Sequence, residues 1–263
     1  MLKLNAYQLK WIAIIGMFLQ HMFIAWSAII PVGLRFPLYA VGGFTFPIMA
    51  FFVVEGYRHT SNLKRYILRL FVVGIIAMPF HIVALGIPLG GGNPAIYPWL
   101  NIMFSIILSL FVMVMYDKIK FRVVFWLIYV VLIVPISIMF FEWYFIGITM
   151  VLLFHIIGNE NARRIIPPIF AGLGWLFMAF PFTVEGLMYF GDLDTFMTYP
   201  DFPALMAVFA IVCGLVSILL MGYNGERGRK SKWLFYIFYP AHFVILAAIG
   251  LAIGLIDLNM LGF

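Results

Sequence analysis

The chain has 263 residues, of which 65% are hydrophobic and only 10% are charged, and its formal net charge is +6. Soluble domains carry about a quarter charged residues, so this composition excludes a water-soluble globular fold. The single cysteine, Cys213, excludes an internal disulfide framework. A helical membrane protein is the remaining class, because several apolar runs reach the roughly 20 residues that span a bilayer.

Nine apolar segments follow one another along the chain, separated by polar residues and turns. They lie at about 9–30, 37–56, 65–87, 96–116, 121–140, 143–157, 165–184, 203–222 and 233–255. This pattern predicts an all-α, polytopic bundle of about nine transmembrane helices, forming a single domain over residues 1–263. The segment at 143–157 is short for a span, which is typical of a tilted or re-entrant helix. The longest predicted loop is at about 185–202.

Basic residues alternate with these segments. If the N-terminus is cytoplasmic, all sixteen lysines and arginines except Arg35 fall on the cytoplasmic side. The opposite side collects the acidic residues Glu142, Glu185, Asp192, Asp194, Asp201 and Asp257. The positive-inside rule therefore predicts a cytoplasmic N-terminus and an extracytoplasmic C-terminus. Since the rule accounts for the net charge, we expect a lipid bilayer and no nucleic acid as partner.

The first segment carries Gln20 and His21 deep inside an apolar run. Ionisable residues at that depth are expensive and mark candidate sites. Lys10 lies eleven residues earlier, on nearly the same helix face and about 16 Å away along the axis. An interhelical hydrogen bond that only holds the bundle together is the alternative reading of His21.

The last segment carries a second buried histidine, His242, just after Pro240. Tyr236 and Tyr239 share a face of the same helix. His242 has the same two readings as His21, because Pro240 frees a backbone carbonyl that an imidazole can satisfy. His81, near another proline, is expected to be structural.

The known catalytic motifs narrow the chemistry further. The sequence contains no HExxH, no Cys/His cluster, no GxSxG and no Walker loop, so we expect no metal and no nucleotide-driven transport. The chemistry that remains is general-base catalysis by buried histidines. The basic residues at the cytoplasmic side can hold an anionic ligand above them.

Several blocks of the sequence resemble the TraX family of membrane proteins, which is linked to N-acetylation of conjugative F-type pilin. The blocks are Leu-Lys-Trp-Ile-Ala at 9–13 leading to Gln-His at 20–21, Gly-Gly-Phe-Thr-Phe-Pro-Ile-Met-Ala-Phe at 42–51, Glu-Gly-Tyr-Arg-His-Thr-Ser-Asn at 55–62, Tyr-Ile-Leu-Arg-Leu at 66–70, Leu-Asn-Ile-Met-Phe at 100–104 and Phe-Tyr-Ile-Phe-Tyr-Pro-Ala-His at 235–242. Two positions depart from the family pattern. Gln20 stands where an acidic residue is usual, and Gly43 stands where an arginine is usual.

The resemblance implies a transmembrane acyltransferase in the bacterial inner (cytoplasmic) membrane that uses acetyl-CoA as acyl donor. It implies that His21 and His242 are catalytic, with His21 as base or transient acyl carrier. The basic residues implied to hold the phosphates of the donor are Arg58, Lys64, Arg65 and Arg69. The residues implied to line the substrate pocket are Tyr57, Asn101 and Tyr239. The acceptor is a peptide amine or an envelope glycan.

Two other classes of function stay open at this level. One is a proton-coupled transporter of a small molecule, in which His21 and His242 form a proton relay. The other is a non-enzymatic assembly factor for surface structures, in which the polar residues only join helices. The Gly250-x-x-x-Gly254 pair leaves a homodimer possible.

Overall fold

A computed structural model describes residues 3–85, 100–190, 201–230 and 233–256. For residues 179–190 and 201–203 it describes the backbone alone. The described residues are helical and joined by short loops. The helices are α1 (Ala6–Ala25), α2 (Val32–Ala40), α3 (Thr45–His59), α4 (Leu63–Leu85), α5 (Ile102–Lys118), α6 (Arg122–Ile128), α7 (Val134–Phe140), α8 (Tyr144–Ile156), α9 (Glu160–Phe190), α10 (Asp201–Met221) and α11 (Leu234–Ala252). A 3-10 turn (Val41–Phe44) joins α2 to α3, and a π-helical turn (Tyr129–Ile133) joins α6 to α7.

Each of the nine predicted segments contains helix. Six helical stretches are long and apolar enough to cross a membrane, among the residues that the structure describes. They are Ala6–Ala25, Val32–His59, Leu63–Leu85, Arg122–Phe140, Ala204–Met221 and Leu234–Ala252. The prediction of an all-helical membrane protein is confirmed, whereas the count of nine spans and the orientation of the termini stay predictions.

Part of the predicted loop at 185–202 falls on helix, since α9 continues to Phe190 and α10 begins at Asp201. The stretch between them, with Asp192 and Asp194, lies outside the described residues, as does Asp257.

Large apolar side chains cover the outside of the bundle. Phe71 and Ile75 on α4, Phe111 on α5 and Leu127 on α6 are all about half exposed or more. A contiguous apolar surface of this kind is unfavourable in water and favourable in hydrocarbon, so the outer surface itself is that of a membrane protein.

The start of α1 is fixed by a capping box. The Asn5 side chain accepts a hydrogen bond from the Gln8 backbone N–H at 3.0 Å, and the Gln8 side chain accepts one from the Asn5 N–H at 2.9 Å. These two bonds satisfy N–H groups that a helix start otherwise leaves unpaired. Just before the helix, the Leu4 N–H donates to the Gly222 carbonyl at 2.8 Å, which ties the N-terminus to the end of α10.

The 3-10 turn packs tightly between α1 and α10, and glycines make this possible. A Cβ atom on Gly16 would lie 2.4 Å from the Val41 carbonyl oxygen, and one on Gly43 would lie 2.8 Å from the Phe209 carbonyl oxygen. A side chain at Gly43 would therefore meet the α10 backbone.

Basic residues collect at one end of the bundle, where α1, α4 and α9 begin and where α3, α5, α8 and α10 end. Contacts among these termini show that they lie together. The Arg58 guanidinium donates to the His155 carbonyl at 2.8 Å, and Arg163 pairs with Glu55 at 3.4 Å. We call this end the basic end. When successive helices cross a bundle in opposite directions, the start of one helix and the end of another meet at the same end, as they do here.

The Gly250 and Gly254 pair serves the end of α11. Gly250 is buried, and a Cβ atom there would lie 2.5 Å from the Ile256 side chain of the same chain. Gly254 has a φ of +71°, and the Leu255 N–H returns to the Gly250 carbonyl at 2.8 Å. This is the C-terminal glycine arrangement that closes many helices. The possible homodimer therefore stays a prediction without support from this pair.

Candidate active site

His21 and His242 meet although they lie 221 residues apart in the chain. Nδ1 of His21 is 2.8 Å from Nε2 of His242, and Nδ1 of His242 is 3.1 Å from the Phe238 carbonyl oxygen. A carbonyl can only accept, so His242 carries its proton on Nδ1. With both rings neutral, His242 then accepts from Nδ1–H of His21. This chain of bonds leaves the lone pair of His21 on Nε2.

A third histidine lies beside this pair. Nε2 of His81 is 2.6 Å from a carboxylate oxygen of Glu142, and the His81 side chain is 1% exposed. The rings of His21 and His81 each lie about 5 Å, centroid to centroid, from the ring of Phe243. His242 packs on the same ring at 4.0 Å. Phe243 thus holds the three histidines in one cluster.

Several bonds fix the backbone at Glu142. The Glu142 N–H donates to the Leu100 carbonyl at 3.3 Å, and the Ser105 hydroxyl donates to the Glu142 carbonyl at 2.7 Å. The next two residues, Trp143 and Tyr144, have φ values of +64° and +46°. Residues other than glycine rarely adopt this left-handed backbone conformation, which costs on the order of 1–3 kcal/mol. Backbone strain of this kind clusters at functional sites.

Two predicted substrate residues, Asn101 and Tyr239, lie at the same level of the bundle. The Asn101 amide donates to the Gly74 carbonyl at 2.9 Å and accepts from the Met103 N–H at 3.1 Å. Its polar atoms therefore cap α5 and join it to α4. The buried Tyr239 side chain lies one helical turn from His242, and its hydroxyl interacts electrostatically with Glu142.

A partly open cavity of about 140 Å³ lies toward the basic end of the bundle. Lys10, Tyr66, Tyr236 and Met103 are among the residues that line it. The distance from Tyr236 to His242 along α11 is about 9 Å at 1.5 Å per residue. Along α11 the residues that line the cavity therefore end nearly two helical turns before His242, and Tyr239 lies between them.

The predicted donor-binding residues fall in different places. Arg69 stacks on Tyr66 at 5.9 Å and so lies beside the cavity. Lys64 lines a separate apolar groove between the outer faces of α4 and α5. Arg58 bonds the end of α8, as described above. The backbone N–H of Arg65 donates to Asn62 at 2.9 Å in the cap of α4.

The predicted substrate residue Tyr57 lies near the C-terminal end of α3, at the basic end of the bundle and away from the His21–His242 pair. Its hydroxyl donates to Asp117 at 2.7 Å, and His155 bonds the other oxygen of the same carboxylate at 2.7 Å. These bonds join α3, α5 and α8. A role for Tyr57 at the substrate stays a prediction.

The sequence does not single out three residues that the structure brings to this region. His81 is predicted to be structural, Glu142 is predicted to lie on the outer side, and Lys10 is marked only by the helix face that it shares with His21. The structural role of His81 stays a prediction. The polar side chains of Asn101, Ser105 and Ser109 on one face of α5 were the available signal, because Ser105 holds Glu142. Among the residues that the structure describes, no group of His, Cys, Asp or Glu could hold a metal ion.

The fold and this cluster define a multi-pass helical membrane protein with a buried histidine site. The family model described as TraX protein matches residues 5–250, and the chain belongs to that family. One curated relative, from Dichelobacter nodosus, is named "Probable fimbrial assembly protein FimC, serogroup H1". It is 27% identical over 254 residues, which cover 93% of this chain and 95% of the relative. No solved structure matches the chain.

Proposed function

We propose that this protein is a membrane-embedded acetyltransferase that moves an acetyl group from acetyl-CoA to an amine or hydroxyl of a peptide or glycan in a surface structure. The observation that carries the proposal is the His21–His242 pair, in which His242 is buried and its bond to the Phe238 carbonyl leaves a basic nitrogen on His21. Membership of a family linked to pilin acetylation supports the same reaction.

The proposed reaction is simple to balance. In the overall reaction the lone pair of the acceptor bonds to the acetyl carbonyl carbon, the carbon–sulfur bond breaks, and coenzyme A leaves as a thiolate. The acceptor loses one proton and the thiolate gains one. Nε2 of His21 is the basic nitrogen that acts at the thioester, as a general base or as a transient acyl carrier, and a general base contributes about 10²–10⁴-fold.

We propose that the donor enters through the cavity at the basic end. Lys10 is the cationic side chain that lines the cavity, and Arg69 lies beside it on Tyr66. We propose that these two residues hold the anionic phosphates of coenzyme A, because charge-assisted bonds to phosphate are strong. The acyl end then extends toward Tyr239 and the histidines. A role for Arg58, Lys64 and Arg65 in binding the donor stays a prediction.

The test uses purified protein in lipid nanodiscs with radiolabelled acetyl-CoA. We expect turnover by the natural protein and a loss of about 100-fold or more in His21→Gln. The matched control is His59→Gln, at the exposed end of α3, which keeps full turnover. Lys10→Met raises the KM for acetyl-CoA, whereas Lys3→Met, on an exposed terminal lysine, leaves it unchanged.

An assembly role without chemistry is the second candidate, favoured by the printed name of the Dichelobacter relative. It predicts neither hydrolysis nor transfer of the label and no binding of coenzyme A. That combined result refutes the acetyltransferase. Flux of a small molecule without turnover of acetyl-CoA points instead to the transporter.

A further inference from the structure

We propose that His81 and Glu142 form a second acid–base unit, in which His81 takes the proton from the acceptor while the His21–His242 pair acts at the thioester. This inference rests on the proposed acetyl transfer and assigns its acceptor side. His81 is then a catalytic residue, and Glu142 is a positioning residue that acts through it.

The bond to Glu142 decides which nitrogen of His81 is basic. A carboxylate accepts, so Nε2 of His81 carries the ring proton and Nδ1 carries the lone pair. A carboxylate in this position also orients the ring and stabilises the imidazolium that forms when the other nitrogen takes a proton, as in the Ser-His-Asp triad.

Nδ1 of His81 is poised for a donor that the described part of the chain does not provide. This nitrogen is buried and has no hydrogen-bond partner among the described residues. Leaving a buried acceptor unpaired costs about 1–3 kcal/mol. The N–H or O–H of an acceptor molecule would satisfy it.

The two bases are close enough to serve one substrate. Because each ring centroid lies about 5 Å from that of Phe243, the centroids of His21 and His81 are at most about 10 Å apart.

The backbone around Glu142 gives independent support. Two successive left-handed residues follow it, and Trp143 is locked by Phe46 at 4.8 Å and by Trp175 at 5.4 Å. Strain of this kind persists only where the surrounding packing holds it. Here it places the carboxylate against His81.

The proton then follows a balanced path. Nε2 of His21 attacks the thioester carbonyl carbon, the carbon–sulfur bond breaks with its electron pair on the coenzyme A thiolate, and the Nδ1 proton of His21 passes to Nε2 of His242. The acceptor then attacks the acetyl carbon, and its proton moves to Nδ1 of His81, which becomes an imidazolium beside Glu142. The carbon–nitrogen bond breaks with its electron pair on His21, His242 returns the proton to Nδ1 of His21, and His81 releases its proton to solvent.

Two small acceptors test this division of roles. Water must lose a proton to react, whereas hydroxylamine is uncharged near neutral pH and attacks thioesters without prior deprotonation. We expect His81→Gln to slow hydrolysis of acetyl-CoA by about 100-fold or more while transfer to hydroxylamine falls by less than about tenfold. His21→Gln loses both, and His59→Gln loses neither.

Glu142→Gln keeps the shape of the side chain and removes its charge, so it guards against a folding defect in the histidine variant. We expect the same selective loss of hydrolysis, of at least about tenfold. Equal losses with water and hydroxylamine in a folded variant, or unchanged hydrolysis, overturn the proposal. If the natural protein turns over neither probe and binds no coenzyme A, it is the acetyltransferase that fails.

A second readout does not depend on activity. Nitrogen-15 NMR of the five histidines, assigned by single substitutions, reports which ring nitrogen carries the proton. We expect His81 to be protonated on Nε2 alone. A proton on Nδ1 of His81 in the resting protein contradicts the assigned base.

Discussion

The contact between α1 and the 3-10 turn can be tested with one methyl group. In Gly16→Ala the new Cβ atom lies 2.4 Å from the Val41 carbonyl oxygen, whereas ordinary contacts begin at 3.4 Å. The obstacle is backbone, which has no rotamer to change, so the helix and the turn must separate by about 1 Å. Overpacking of this kind costs about 1–3 kcal/mol.

The assay is thermal unfolding in detergent micelles at a fixed scan rate, followed by the fluorescence of the seven tryptophans. At about 2–4 °C per kcal/mol for a chain of this size, we expect the midpoint to fall by about 2–12 °C. The matched control is Gly214→Ala in α10, where nothing lies within 4 Å of the new atom. Better helix propensity leaves that variant at or slightly above the natural midpoint. A Gly16→Ala midpoint equal to that of the control refutes the close contact.

Three smaller changes use the same assay. Asn5→Ala removes the capping box of α1 and should cost about 1 kcal/mol; an unchanged midpoint would mean that the cap contributes nothing. Gly254→Ala places a side chain at a φ of +71° and should lower the free energy of unfolding by about 1–2 kcal/mol. A midpoint equal to or above that of the natural protein would contradict this prediction. Ser105→Ala removes the hydroxyl that holds the Glu142 carbonyl and should cost about 0.5–1.5 kcal/mol, with faster amide exchange at Trp143 as the local readout. Unchanged exchange there would show that Ser105 does not hold this turn.

The helices were predictable because hydrocarbon demands long apolar runs, and these are visible in one dimension. The breaks within them were not. The second segment reads as continuous from 37 to 56, yet it is interrupted at Val41–Phe44, where Gly42 and Gly43 let other helices approach. In the sequence, a close approach between two backbones is marked only by a small residue such as glycine. Glycine occurs for many other reasons, so the sequence does not show where a helix is interrupted.

The site was predictable only in part, for a related reason. His21 and His242 stand out because each is a polar residue in an apolar run. Glu142 stands in a short polar break, and its partner His81 is 61 residues away. The contact between the Glu142 carboxylate and the His81 imidazole depends on how α4 packs against the start of α8. The packing of these helices is not visible in the sequence, so Glu142 reads there as a charge in an outer loop.

The hydrogen bond between His21 and His242 has a consequence for biosynthesis. The first histidine is made near the start of translation and its partner near the end, so every helix through α10 must be inserted before the two rings can meet. A chain that stops short of α11 retains most of the bundle but lacks His242, so it cannot form this hydrogen bond. Under the proposed function, such a truncated chain left in the membrane has no acetyltransferase activity, whatever the state of its first ten helices.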